Sequence, residues 1–142
     1  MELNLLDKSN YFKGLLILIR KKKEVTESTR RTVKTIAAVL DFNQDFVDSS
    51  IKNLLVNKNI VEEPPKFSDS RLAESFIKDG LRLALSDGVL NQLQLQWLVN
   101  TAQKNNLSKQ WFFMELADFF DQYESNSETT FEIQKRKHKV VN

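Results

Sequence analysis

The sequence contains no cysteine, only three glycines, two prolines that stand side by side, and a single histidine in 142 residues. The absence of cysteine excludes disulfides, thiol nucleophiles and the thiolate zinc sites that staple many small domains. The one histidine, His138, lies in a terminal basic run, so neither a transition-metal centre nor a Ser-His-Asp triad is expected. So few chain breakers argue against a turn-rich β fold and for helices. Long apolar runs are missing too. The longest, residues 15–19 and 36–40, fall far short of the roughly 20 residues a membrane span needs. The opening MELNLLDKSN has no basic region followed by an apolar core, so a secretory leader is not expected and a cytoplasmic location is the default. There is no glycine-rich phosphate loop and no nucleophile elbow, so the expectation is a non-enzyme with no cofactor.

What is present is a globular balance of 41% hydrophobic and 28% charged residues, in a chain of the length of one ordinary domain. The net charge of +2 conceals an uneven distribution. Residues 1–61 carry 11 Lys/Arg against 7 Asp/Glu, residues 62–134 carry 6 against 12, and residues 135–142 carry 4 against none. A basic first half beside an acidic second half suits two parts of one domain, or self-association, better than a uniform nucleic-acid binder.

Apolar spacing predicts an all-α chain of six helices. The first covers about residues 10–22, with Tyr11, Phe12, Leu15, Leu16, Leu18 and Ile19 on its inner side. The second follows the N-cap Thr26 and the third the N-cap Asn43, which precedes Phe46, Val47, Ile51, Leu54 and Leu55. A linker at 58–67 holds Pro64 and Pro65, which cannot continue a helix. The fourth helix starts from Ser68 or Ser70, the fifth after Asn91 and the sixth after Ser108. Inward residues of the sixth are Trp111, Phe112, Leu116, Phe119 and Phe120, with Phe113 and Met114 nearer its far side. Residues 125–142 read as a polar and basic tail, in which TFEIQKRKHKVV suits a short strand, a helix or a disordered segment.

At an offset of 65 residues the two halves match. Tyr11 falls on Phe76, Leu16 on Leu81, Thr26 on Asn91, Ala37 on Ala102, Asn43 on Ser108 and Ile51 on Leu116. Core positions meet core positions and caps meet caps, which predicts two three-helix units, about 10–57 and 68–124, packed by a pseudo-two-fold into one domain.

Between the fourth and fifth helices stands Ala84, Asp87-Gly88, Leu90 and the cap Asn91, followed later by Asn106-Leu107-Ser108 before the sixth. These residues resemble the TerB-like family, which includes tellurite-resistance protein B and the helical N-terminal domains of DjlA-type co-chaperones. The resemblance covers about residues 10–123. It implies a TerB-like helical bundle in a bacterial stress-response or adaptor setting. Two positions depart from the family. A Glu usual after the Asp-Gly turn is Gln94 here, and the first-half counterparts of Asp87 and Gly88 are Lys22 and Lys23.

Three functional readings follow. The first is a non-enzymatic interaction or adaptor module that binds a protein partner or a second copy of itself, using an aromatic patch on the sixth helix or the basic cluster. The second is a divalent-metal site centred on Asp87. SDGVLNQLQLQW supplies only that one acid, however, which excludes an EF-hand. The third is a binder of acidic protein, phosphate or anionic lipid through residues 20–34, where Arg20, Lys21, Lys22, Lys23, Arg30, Arg31 and Lys34 would form one patch. No aromatic is interleaved there to stack bases, which disfavours single-stranded nucleic acid. The bland readings are a solvated face for the cations and a plain turn for Asp87-Gly88.

Overall fold

The computed structural model describes residues 3–22, 24–57 and 61–125. Residues 1–2, Lys23, the linker residues 58–60, the tail 126–142 with its Lys135–Lys139 run, and the side chains of Leu55, Tyr123, Glu124 and Ser125 lie outside the described residues. Among the described residues the chain is all-α, with six helices and no strand. They are α1 (Leu5–Arg20), α2 (Glu27–Val39), α3 (Gln44–Val56), α4 (Ser70–Ala84), α5 (Gln92–Lys104) and α6 (Lys109–Ser125). None of them is long and apolar enough to cross a membrane.

Side-chain caps set the starts. Thr26, Asn43 and Asn91 each accept from backbone N–H groups in the first turn of the following helix, as their positions predict. Ser108 Oγ likewise accepts from Trp111 N at 3.0 Å. Two starts differ from the sequence expectation. α1 begins five residues earlier than residue 10, because Asn4 caps it through Asp7 N at 2.7 Å and Asp7 places a negative charge in the first turn. Apolar periodicity did not show this turn, since Leu5 and Leu6 point outward. The cap of α4 is Asp69, between the two serines expected; its carboxylate accepts from Arg71 N and Leu72 N.

The core forms around α1 and α4. Their contacts advance together along both helices, so the two run side by side in the same direction. The Tyr11 ring lies edge-on to Phe76 at 5.2 Å, Tyr11 Oη donates to buried Asp79 at 2.5 Å, and Lys22 reaches Ala84 O. Gly14 permits this approach: a Cβ there would sit 2.6 Å from Cζ of the fully buried Phe76 ring. Around the central pair, α2 and α3 pack on α1, while α5 and α6 pack on α4. Two cross-contacts complete the bundle, α1 with α5 and α2 with α4.

The linker is tied down by side chains rather than by secondary structure. Asn105, buried at the end of α5, accepts from Phe67 N at 2.8 Å and donates to Pro65 O at 2.8 Å. Trp97 Nε1 donates to Glu62 O at 3.0 Å, and Asp7 accepts from Ser68 N and Ser68 Oγ.

The 65-residue offset recurs in the backbone. α1 and α4, α2 and α5, and α3 and α6 begin 65 residues apart, as do Lys22 and Asp87. The two non-glycine residues with positive φ, Asp41 (66°) and Asn106 (63°), stand at the same spacing. Each closes its helix with the same bond, Phe42 N to Ala37 O at 3.0 Å and Leu107 N to Ala102 O at 2.9 Å.

Candidate functional site

The junction singled out by the sequence is the Asp87-Gly88 turn. Gly88 adopts φ 88°, a region that costs glycine nothing, and Gly88 N bonds Leu85 O at 2.9 Å, closing the turn. Asp87 Oδ1 accepts from Val89 N at 3.2 Å, the local bond that suits Asp to turns. These features alone describe a helix stop.

The position a cation would take is occupied by the chain itself. The Lys22 ammonium donates to Ala84 O at 2.8 Å, to Val89 O at 2.6 Å and to the Asp87 carboxylate. An ammonium has three protons, and three oxygens of one turn receive them. The side chain is only 10% exposed. Burial alone would raise the Asp87 pKa, but the Lys22 and Val89 hydrogen bonds and the Lys22 charge outweigh it, holding the carboxyl below its ordinary value. Among the described residues no group of three or more His, Asp or Glu is placed to hold a metal ion.

Gln94 belongs to the same junction. Its side chain and that of Asn91 form a reciprocal capping box at the start of α5. Gln94 Nε2 also donates to Leu18 O at 3.1 Å, and Asn91 Nδ2 donates to Lys21 O at 3.2 Å. The start of α5 thus caps the end of α1, while Lys22 at the end of α1 caps the end of α4. Ser28 Oγ donates to Ser86 O at 3.2 Å, and the Thr29 and Ser86 hydroxyls lie 2.9 Å apart, joining the start of α2 to the same turn. Four helix ends are locked together here by side chains.

Among the described residues of the basic cluster, four cations have acidic partners within the chain. Lys21 pairs with Glu62 at 2.8 Å, and Arg20 Nε lies 3.7 Å from the same carboxylate. Lys22 is taken up by the turn, and Lys34 pairs with Asp48 at 2.7 Å on α3. Arg31 is exposed and Arg30 half-buried. Arg20 Nη1 is buried without a hydrogen-bond partner. Sequence reasoning placed these cations close in the chain, but could not see the acids that reach them from the linker, from α3 and from the turn after α4.

The sixth helix differs from its expected burial. Among its described side chains only Phe112 is fully buried; Trp111, Leu116 and Phe119 are half-buried, and Phe120 is 44% exposed rather than inward. Phe113 and Met114 are 47% and 60% exposed, on the far side as expected. The reason is that, among the described residues, α6 packs on α4 and α5 alone, and neither of them covers one flank of this apolar helix. Phe113, Leu116 and Phe120, three and four residues apart, line up along that flank.

No protein-family model matches the chain, no curated protein matches it, and no solved structure matches it.

Proposed function

We propose that the protein is a non-enzymatic helical interaction module of the TerB-like type, built from two copies of a three-helix unit, which docks a protein partner on the exposed flank of α6. The pseudo-repeat is supported by the common 65-residue register of helix starts, caps and positive-φ residues. The docking reading is carried by one observation: among the described residues, Phe113 and Phe120 stand about half exposed on one line of a helix whose flank no other helix covers. Large aromatics grouped in this way mark interaction surfaces more than solvated ones.

The Lys22 ammonium in the Asp87 turn argues for a structural joint there rather than a divalent-metal site. Pairing of Arg20, Lys21, Lys22 and Lys34 within the chain leaves Arg30 and Arg31 as the main described cations for an anionic surface, which favours α6 over residues 20–34. A role as a bacterial stress-response adaptor is what the resemblance adds.

The test is site-directed photo-crosslinking in cells producing the full chain. A benzoylphenylalanine at Phe113 is expected to give a discrete adduct with another polypeptide. The same probe at Lys52, exposed on α3, is expected to give none. Equal labelling from both positions, or no adduct from Phe113, contradicts the reading.

A further inference from the structure

We infer that the cleft between α1, the linker and the end of α5 is a binding site for a phosphate group, either inorganic phosphate or a small phosphate ester, held by the ammonium groups of Lys13, Lys66 and Lys104. Neither α6 nor residues 20–34 line it, so the inference is independent of the docking reading.

The cleft has a volume of about 210 Å³. That is below the roughly 300–1,000 Å³ of sites for drug-sized ligands, and ample for a phosphate with a few carbons attached. Among the described residues no aromatic side chain lines it, which argues against a stacked nucleotide base. Its walls are fixed. Pro64 and Pro65 restrict the linker backbone on one side, and Asn105 Nδ2 pins Pro65 O at 2.8 Å. Gly14 keeps α1 close on the other, since a Cβ there would meet Pro65 Cγ at 3.3 Å.

Among the described residues three lysines line the cleft against one acid, Glu63. The chain holds two of the ammonium groups in place. Lys66 Nζ donates to Lys104 O at 3.0 Å, and Lys104 Nζ to the Glu63 carboxylate at 2.9 Å. An ammonium has three protons, so both retain donors for a ligand. The Glu63 side chain is 71% exposed, and a surface pair of this kind is worth little, so an incoming dianion can displace it. The hydrogen bond and charge of Lys104 hold the Glu63 carboxyl below its ordinary pKa, and the Lys13 charge contributes further. Lys104 and Lys13 therefore act on one point, where Glu63 stands in for an anion. The lysines exceed the acid by two charges. A phosphate monoester at neutral pH carries about −1.5 to −2 and three strong acceptor oxygens, which matches that excess. A carboxylate brings only one charge and two oxygens.

The experiment titrates the purified full chain with sodium phosphate, and separately with glycerol 3-phosphate, followed by backbone amide NMR shifts at low ionic strength against matched chloride. Saturable one-to-one binding is expected. It should weaken roughly tenfold in K13E and strengthen roughly fivefold in E63Q, which removes the competing carboxylate. K52E on α3 makes the same change in net charge away from the cleft and should alter the affinity less than about twofold. Lys13, Lys52 and Glu63 are exposed, so all three variants are expected to melt like the parent. Tighter binding of the ester identifies an organic phosphate as the ligand, and equal or weaker binding identifies free phosphate. No saturable binding of either probe by about 10 mM, equal weakening in K13E and K52E, or no gain in E63Q overturns the site.

Discussion

Replacing Gln94 with Glu is expected to destabilise the protein by about 3 kcal/mol at neutral pH, a fall of roughly 9 °C in melting temperature. The change looks harmless by sequence, because Glu is an equally good capping-box residue at the third position of a helix and is favoured there by the dipole. The structure reverses that expectation. Gln94 is 1% exposed, and its amide donates to Leu18 O at the end of α1. A carboxylate has no proton to donate, so the variant would set a buried charge against the Leu18 carbonyl and lose the bond to it, leaving that carbonyl only its weaker bond from Lys21 N. Both effects raise the folded-state pKa of the new acid above its unfolded value of about 4.3. The folded variant then binds more protons than the unfolded one, so its deficit grows as pH rises above that value and closes as pH is lowered towards about 4. Thermal melts of both proteins across this range measure the effect; a variant as stable as the parent at pH 7 would contradict the assignment.

Removing the Lys22 ammonium by Lys22→Met should cost about 2–3 kcal/mol, since a charge-assisted bond and two bonds to carbonyls are lost while the apolar stem is kept. The Asp87 carboxyl is held below its ordinary pKa, so its share of this stability is present above the unfolded value near 4 and is lost as pH falls through the lower folded value. The Lys22→Met deficit is therefore expected to shrink in acid. A double-mutant cycle with Asp87→Asn should return a coupling of about 1–2 kcal/mol; additive single effects would show that the two residues do not act as a pair.

These two sites also show what the sequence could and could not convey. Caps and periodicity are local, and they placed four helix starts because Thr26, Asn43, Asn91 and Ser108 bond backbone groups in the turn that follows them. The first turn of α1 was missed because its leucines face outward and give no apolar rhythm. The repeat alignment set Lys22 against Asp87 and read the lysine as a replaced acid. In space the two positions meet each other, a relation carried by the parallel packing of α1 and α4 and invisible along the chain. In the same way, Gln94 read only as a departure from the Glu usual in the TerB-like family, whereas its amide donates to a carbonyl 76 residues away. The aromatic load of α6 was legible, but how much of it is covered depends on which helices pack beside it, and among the described residues those are α4 and α5.

The central claim is that the Asp87 turn is a joint closed by the chain's own cation, leaving α6 as the working surface. Its most direct test is the melting temperature of the native chain with and without millimolar calcium. The account predicts no change; a rise of several degrees that disappears in Asp87→Ala would contradict it.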